Sequence, residues 1–307
     1  MAPGMDAARH PPSGQWVDVG GHRLHIVCVG AGRPTVVLEA GMSGWSVDWS
    51  LVQPALARHT RTCAYDRAGY GWSDEAQASR SSAQVADELH ALLVGAHIDE
   101  PIVLVGHSLG GLFAQMFARR YPRSVAGLVL VDSVHRAQSA EMPADLGRPY
   151  EVNMRRLTAA SALVAPTGLL RFLDQPASVV AARLPEPVRA AAVDFSFESK
   201  SYRTLAAEMR AFDQSQQQVA AAGPLPAVPS VVLVSAEARD FPPGFSAGPM
   251  KSRWDELQRQ QLGLRPENAV ITVTGSGHYI HSDRPDAVAQ AVLSVLRQAR
   301  QDAMSAP

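Results

Sequence analysis

A serine between two glycines, Ser108 in the segment GHSLG (106–110), is the residue of this sequence whose type and spacing best indicate chemistry. The segment follows an apolar run, PIVLV (101–105), and precedes a stretch with helical spacing, LGGLFAQMFARRYP (109–122). At such a strand-to-helix turn a serine hydroxyl is exposed above the sheet, and the helix N-terminus favours developing negative charge. In the simpler alternative Ser108 only caps a helix. The strand–turn–helix context favours a nucleophile.

A serine nucleophile needs a base, and His278 is the candidate. It ends the segment NAVITVTGSGH (268–278), where a Gly-Ser-Gly loop follows an apolar run. The alternative role for His278 is that of a solvent-exposed loop histidine. His281 is a weaker competitor, because it begins the helical segment that follows. His107 precedes Ser108, so we expect it to point away from the site and pack against a neighbouring loop.

The acid that orients the base is less clearly marked, because two aspartates end apolar runs. Asp240 follows VVLVSAEAR (231–239), and Asp132 follows GLVLV (127–131). Both keep the chain order serine, acid, histidine. Asp240 is preferred, because an acid more commonly lies beyond the strand that follows a helical insertion. Asp132 remains the alternative, and Glu237 is a third candidate.

Two backbone N–H groups are needed to bind an oxyanion. Leu109, directly after the predicted nucleophile, supplies one. We expect Met42 to supply the other, from the glycine-bearing loop in VLEAGMSGWSVDW (37–49). Gly41 and Trp45 are the candidate substrate-binding residues of this loop, although packing beneath the pocket is the favoured role of the tryptophan.

The elements that must position these residues are apolar runs separated by helical stretches. Continuous Val, Leu and Ile runs are typical of parallel strands buried on both faces, and their alternation with helices predicts a mostly parallel α/β sheet. The alternation breaks over 135–227, which has helical spacing and no Val/Ile run, so we predict a helical cap there. The core is then 15–134 and 228–302, and 1–14 is predicted to be a disordered lead-in.

The composition is that of an ordinary globular protein, with 46% apolar and 19% charged residues and a net charge of -1. No basic stripe indicates nucleic acid as a partner, and no long apolar run indicates a membrane. The two cysteines, Cys28 and Cys63, lie in apolar runs without a CxxC partner, so we expect free buried thiols. The N-terminal segment has no apolar signal core, and the predicted location is the cytoplasm.

In its motifs the chain resembles the α/β-hydrolase superfamily from about residue 17 to residue 300. The motifs come in the superfamily's order: EAGMSGWSVDW, YDRAGYGWSD, GHSLGG, LVLVDS and GSGHYIHSDRPDAV. The resemblance implies an eight-stranded α/β-hydrolase sheet with a cap inserted after the sixth strand. It also implies Ser108 as nucleophile, His278 as base, and the N–H groups of Met42 and Leu109 as the oxyanion hole.

Two departures from the superfamily's patterns matter. Many relatives have His-Gly in the oxyanion loop, where this chain has Ala40-Gly41, which keeps the backbone donors. The attacking residue is a serine, so the resemblance points away from epoxide hydrolases and haloalkane dehalogenases, whose nucleophile is a carboxylate.

These observations predict a serine hydrolase that cleaves carboxylic esters through an acyl-enzyme, without cofactor or metal. The cap is rich in apolar residues, which predicts small to medium, uncharged apolar substrates. Hydrolysis of a C–C bond, an amide or a lactone uses the same residues and is the enzymatic alternative. A low-turnover ligand-binding protein of the same fold is the alternative from another class. We expect a monomer or homodimer whose partner is a small-molecule ester.

Overall fold

The computed structural model describes residues 9–174, 183–186, 188–238, 240, 248–261, 265 and 267–305. The strands are β1 Gln15–Asp18, β2 Arg23–Val29, β3 Val36–Glu39, β4 Thr62–Tyr65, β5 Ile102–His107, β6 Val125–Val131, β7 Ser230–Ser235 and β8 Ala269–Val273. The helices are α1 Gln53–Ala57, α2 Ser82–Gly95, α3 Leu109–Arg120, α4 Gln138–Glu141, α5 Ala144–Val164, α6 Leu169–Phe172, α7 Val188–Ser196, α8 Ser199–Arg210, α9 Phe212–Ala221, α10 Pro249–Arg259, α11 Ile280–Asp283 and α12 Pro285–Ser305. Short 3-10 turns occupy Ser46–Trp49, Pro122–Ser124 and Ala165–Thr167.

All eight strands form one sheet in the order β1-β2-β4-β3-β5-β6-β7-β8. The pairs β1–β2 and β2–β4 are antiparallel, and the remaining pairs are parallel. The predicted eight-stranded, mostly parallel α/β-hydrolase sheet is therefore confirmed. Because the carboxyl ends of parallel strands meet at one edge, the loops after β3, β5, β6, β7 and β8 lie side by side there.

Each face of the sheet has its own apolar core. On one face α2 and α3 bury residues such as Leu89 and Phe113. On the other face α12 buries Val292 and Val295 together with α1. Strands β3, β5 and β7 are buried at every position, as their unbroken apolar sequences predict. Two-sided burial holds the strand ends, and hence the loops that follow them, in fixed positions.

The helices between β6 and β7 do not all belong to one layer. Helix α5 packs against α8 in the helical insertion, whereas α9 packs on the core helices α2 and α3. The backbone N–H groups of Ser82 and Ala83 donate to Ser215 Oγ and Gln218 Oε1, each at 3.0 Å. The predicted cap over 135–227 thus includes a helix, α9, that packs on helices of the core. We place α9 with the core, because its apolar face covers the helices of the sheet layer.

The N-terminal segment also differs from the prediction over its described part, residues 9–14. His10 Nε2 lies 2.9 Å from Asp194 Oδ2 in α7, and Trp72 Nε1 donates to the His10 carbonyl at 2.8 Å. These contacts tie residues that we expected to be disordered to the helical insertion. The predicted lead-in over 1–8 lies outside the described residues.

The two cysteines form a disulfide, with an S–S distance of 2.09 Å, so the prediction of free thiols is corrected. Cys28 on β2 lies directly opposite Cys63 on β4 in the antiparallel register. This pairing could not be predicted from the sequence, because the two cysteines are 35 residues apart and only the register of the two strands brings their sulfur atoms together. Disulfides are rare in the cytoplasm, so this bond is at odds with the predicted location. In the described part of the chain, no helix is both long and apolar enough to cross a bilayer.

Candidate active site

Ser108 occupies a tight turn between β5 and α3. Its backbone φ is 51° and ψ is -122°, a conformation that costs free energy for a residue with a Cβ atom. The turn also brings backbones into close contact at the flanking glycine. A Cβ on Gly110 would lie 2.2 Å from the carbonyl oxygen of Ala40 in the neighbouring loop. Only glycine fits there, which explains the G-x-S-x-G spacing by close approach.

Ser108, His278 and Asp132 form a continuous hydrogen-bonded relay. Ser108 Oγ lies 2.9 Å from Nε2 of His278, and Nδ1 of the same ring lies 2.7 Å from Asp132 Oδ2. A carboxylate can only accept, so the proton sits on Nδ1 and Nε2 is left to accept the serine hydroxyl proton. The relay thus has the order and tautomer that activate a hydroxyl.

The Asp132 carboxylate is completely buried and is held by several donors besides His278. Ser235, the last residue of β7, donates from its backbone N–H to Oδ1 at 3.0 Å and from its hydroxyl to Oδ2 at 3.1 Å. Trp254 on α10 donates its indole N–H to Oδ1 at 3.0 Å. These hydrogen bonds replace the solvent contacts that the buried carboxylate has lost. Neither Ser235 nor Trp254 was predicted from the sequence, where the only indication is the position of Ser235 at the end of an apolar run.

The structure does not support the preference for Asp240 as the acid. Asp132 already occupies Nδ1 of His278, while Asp240 forms an ion pair with Arg183 of the helical insertion. The third candidate, Glu237, is exposed, and its backbone N–H donates to the Ser276 carbonyl at 3.0 Å. The carboxylate one strand closer to the nucleophile reaches the histidine, because the loop after β8 crosses β7 towards β6.

The other two histidines near the site are buried and neutral. His107 donates Nε2–H to the His278 carbonyl at 3.0 Å, and burial lowers its pKa well below the usual range. It packs against the loop after β8, in the direction that we predicted. His281 packs on Trp49 with ring centroids 5.0 Å apart, and burial lowers its pKa to about 3. His107 therefore supports the loop that carries His278.

The loop after β3 passes beside the nucleophile and is held from below by Arg67. This buried guanidinium donates to the carbonyl oxygens of Ala40 and Gly41, each at 2.6 Å. It also donates to Glu39 at 2.7 Å and to Glu208 of α8 at 2.9 Å. Burial raises the pKa of the Glu39 carboxyl, and Arg67 acts in the opposite direction. The network joins the loop to the helical insertion. Its only mark in the sequence is the motif YDRAGYGWSD, which contains Arg67.

The two candidate substrate-binding residues of this loop, Gly41 and Trp45, lie in different surroundings. Gly41 lies against the nucleophile turn: a Cβ there would be 2.7 Å from His107 Nδ1 and 3.3 Å from Ser108 Cβ. Trp45 is 2% exposed and packs with Trp72 and Phe195, at ring-centroid distances of 5.0 and 5.1 Å. Its role is packing beneath the helical insertion, so its assignment to substrate binding is corrected.

A cavity of about 180 Å³ opens on the serine. The predicted oxyanion donors, Met42 and Leu109, border it together with Ser108 and His278. Its other lining residues are mostly apolar and come from the segments after β6 and β7 and from α4, α5, α8, α9 and α10: Val134, Gln138, Tyr150, Glu151, Met154, Met209, Phe212, Asp240 and Trp254. The serine therefore faces a partly open, largely apolar space beneath the helical insertion.

A model of the Alpha/beta hydrolase family matches residues 26–291, most of the chain. The chain belongs to the alpha/beta hydrolase family. The match includes the segments that carry Ser108, Asp132 and His278 as well as the helical insertion. For this alpha/beta hydrolase, membership supports hydrolase chemistry in general and leaves the scissile bond open.

Relatives among characterised and uncharacterised proteins match parts of the chain. A 2-hydroxy-6-oxo-2,4-heptadienoate hydrolase of Pseudomonas putida is 33% identical over 125 residues, which are 39% of this chain and 45% of that protein. An uncharacterised protein of Mycobacterium bovis is 36% identical over 133 residues, 43% of this chain and 38% of that protein. The chain thus spans less than half the length of these curated relatives.

Solved structures of similar fold cover almost the whole chain. An epoxide hydrolase, CorEH, superposes with a TM-score of 0.69 at 20% identity, over 93% of this chain and 98% of that one. An esterase of Thermogutta terrifontis gives 0.62 at 20% identity, over 94% and 99%. An enol-lactonase of Burkholderia xenovorans gives 0.66 at 20% identity, over 92% and 100%. At such identities these structures share the fold with the alpha/beta hydrolase described above.

Proposed function

We propose that this alpha/beta hydrolase cleaves carboxylic esters of small to medium, uncharged apolar substrates through an acyl-enzyme, with Ser108 as the nucleophile. The observation that carries the proposal is the relay from Ser108 Oγ through His278 to Asp132, which ends in the cavity. The proposed acid is Asp132. No cofactor takes part in the proposed reaction, and the proposed partner is a small-molecule ester acted on by a monomer or homodimer.

In the first half-reaction Ser108 Oγ attacks the ester carbonyl carbon while His278 Nε2 takes the hydroxyl proton. The carbonyl oxygen becomes an oxyanion, to which the backbone N–H groups of Met42 and Leu109 donate. Asp132 stabilises the imidazolium that has formed. The tetrahedral intermediate collapses, the C–O bond to the alcohol breaks, and His278 gives its proton to the leaving oxygen.

In the second half-reaction water replaces the alcohol beside His278. The imidazole takes a proton from this water, and the hydroxide attacks the acyl carbon of the Ser108 ester. The second tetrahedral intermediate returns its electrons to Ser108 Oγ, which recovers the proton from His278. The products are a carboxylic acid and the free enzyme, and all protons are accounted for.

The cavity supports the substrate class. Side chains such as Met154, Met209 and Phe212 supply apolar contact area and adaptable shape. A volume of about 180 Å³ suits a short acyl or alcohol group, with the rest of the substrate towards the opening. We therefore expect activity to fall as the acyl chain outgrows this space.

The proposal is tested with a series of p-nitrophenyl esters from acetate to decanoate. We expect a burst of nitrophenol, and a loss of at least about 10³-fold in kcat for Ser108→Ala. Ser124→Ala is the matched control, because this serine lies beyond the opposite end of α3. A wild type that is inert on every ester, or a Ser108→Ala variant with wild-type activity, would exclude the esterase function.

Hydrolysis of a C–C bond is the second candidate, because one relative is named a 2-hydroxy-6-oxo-2,4-heptadienoate hydrolase. That compound serves as a parallel substrate in the same assays. A kcat/KM for it well above the values for all esters would move the proposed function from C–O to C–C cleavage.

A further inference from the structure

A second cavity, of about 320 Å³, lies on the far side of the segment that follows β6. Its walls are α3, the residues after Val134, the connection from α9 to β7, and the end of α10. The lining residues are Gln115, Arg119, His135, Arg136, Ala220, Gly223, Pro224, Leu225, Gln260 and Gln261. Among the described residues it shares none of these with the cavity at Ser108.

Two of the lining residues are arginines, Arg119 and Arg136, and no described carboxylate pairs with either of them. Arg119 donates Nε–H to the Gly223 carbonyl at 2.9 Å and Nη1–H to the Gln115 carbonyl at 3.1 Å. The described residues offer no acceptor to its Nη2 group, and neither Arg119 nor Arg136 forms an ion pair with any of them. Burial, together with the nearby Arg136, lowers the pKa of Arg119 to about 10. The two guanidinium groups therefore repel each other.

His135 adds a third donor. Its Nδ1 accepts the backbone N–H of Ala137 at 3.2 Å, and burial together with Arg136 lowers its pKa to about 4. At neutral pH the ring is neutral, and the proton is on Nε2. The nearby carboxylate that raises the pKa of this histidine is Glu141, and that carboxylate is paired with Arg253. The cavity therefore has donors from three side chains, and its described lining residues include no carboxylate.

The glutamines make this wall rigid. Gln115 donates Nε2–H to Gln261 Oε1 at 2.7 Å, and Gln261 donates its own amide to the Ser133 carbonyl at 2.9 Å. Gln115 Oε1 accepts from Arg119 at 3.5 Å, which fixes the guanidinium on one side. The Arg119 guanidinium is thus held before any ligand arrives, which lowers the entropic cost of binding.

We propose that this cavity binds a small anion through its carboxylate or phosphate oxygens. Arginine forks match these groups in geometry, and an anion between Arg119 and Arg136 would replace their mutual repulsion by attraction. The His135 Nε2–H supplies a neutral donor to the same oxygens. The site is separate from the ester-cleaving residues, so it stands whether or not the proposed function does.

The test is isothermal titration calorimetry of the protein with citrate and, separately, with inorganic phosphate. Sodium chloride is added so that the ionic strength is the same in every titration. We expect one site that binds at least one of the two anions. Arg136→Gln should weaken binding about tenfold, the loss of one charge-assisted contact. This variant removes no hydrogen bond within the described part of the chain, so its fold is preserved. Arg119→Gln should weaken binding at least as much.

Arg123→Gln is the matched control, since this arginine is exposed and follows α3 outside the cavity. Binding of citrate alone identifies a carboxylate site, and binding of phosphate alone identifies a phosphate site. Binding of both identifies a general oxyanion site. The proposal would be overturned if neither citrate nor phosphate gave binding heats larger than those of a sodium chloride titration. Equal affinities in wild type, Arg136→Gln and Arg119→Gln would overturn it as well.

Discussion

Asp132 Oδ2 lies 2.7 Å from Nδ1 of His278, although β7 separates the strands that precede these two residues. The carboxylate stands at the end of β6, directly beside the strand that leads to Ser108. Ser235 at the end of β7 donates two hydrogen bonds to it from the intervening position. The Asp132 carboxylate is thus held by β7, the strand that separates β6 from β8.

The first prediction concerns the identity of the acid. Asp132→Asn should lower kcat for ester hydrolysis by about 10³- to 10⁴-fold, because the amide no longer holds the tautomer with the proton on Nδ1. Asp240→Asn should lower it far less, since Asp240 pairs with Arg183. Steady-state kinetics on p-nitrophenyl butyrate measures both. The assignment to Asp132 is wrong if the two variants exchange these effects while both keep wild-type melting temperatures.

Gly110 tests the close approach of two loops at the nucleophile turn. In Gly110→Ala the new methyl group would meet the Ala40 carbonyl and displace the loop that carries Met42. Loss of one oxyanion donor costs about 10²- to 10³-fold in kcat, which is the expected result. Gly147→Ala on α5 is the control, because the nearest atom to its added Cβ would be Met142 Cβ at 3.0 Å, with the Met142 backbone carbon at 3.9 Å. Wild-type kcat in Gly110→Ala would show that the loops can separate without loss.

Arg67 is expected to be essential for stability. Arg67→Met leaves Glu39 and Glu208 buried without their cation and should lower the free energy of unfolding by about 3–5 kcal/mol. Arg203→Gln is the control, because its ion pair with Glu75 is exposed and should contribute less than about 1 kcal/mol. Urea denaturation of the three proteins gives both differences. If Arg67→Met and Arg203→Gln lost similar free energies of unfolding, the buried network would stabilise the fold no more than an exposed ion pair does, and the prediction would be wrong.

Asp48 should make stability depend on pH. Burial raises its pKa to about 7, well above the value of 3.8 that is usual for an exposed aspartate. Between these values the unfolded chain releases a proton that the folded protein keeps, so stability falls as pH rises. Asp48→Asn removes this loss. Its stability relative to wild type should therefore increase between about pH 4 and pH 8, by at most about 4 kcal/mol.

Thermal or urea unfolding across that pH range provides the measurement. Asp99→Asn is the matched control, because this carboxylate is exposed and its removal leaves the buried site intact. A difference between Asp48→Asn and wild type that stays constant with pH would show that Asp48 does not titrate in this range.

The disulfide gives a prediction about redox conditions. Reduction, or the double change Cys28→Ser and Cys63→Ser, should lower the free energy of unfolding by about 2–4 kcal/mol, because the open loop gains entropy in the unfolded chain. Unfolding with and without dithiothreitol measures the difference. Mass spectrometry after alkylation of the unreduced, denatured protein should find no modified thiol. Two modified thiols would restore the original expectation of free cysteines.

Local pattern was sufficient for much of this molecule. The unbroken apolar runs predicted the buried parallel strands, because burial on both faces excludes polar residues. The spacing around Ser108 predicted a tight turn, because only glycine allows backbones to approach so closely. These features depend on neighbours in the chain. The position of His278 in a loop next to a strand end could be predicted for the same reason.

Contacts between distant segments were decided by the tertiary structure alone. The choice of Asp132 over Asp240 depends on how the loop after β8 crosses a neighbouring strand, and the Cys28–Cys63 bond depends on strand register. The packing of α9 with the core depends on which helix face meets α2 and α3. Local sequence is enough to show which residues could act and where strands and helices form, because these properties depend on neighbours in the chain. Which carboxylate, cysteine or arginine finds which partner was decided by the fold, because such pairs are joined through space across tens to hundreds of residues.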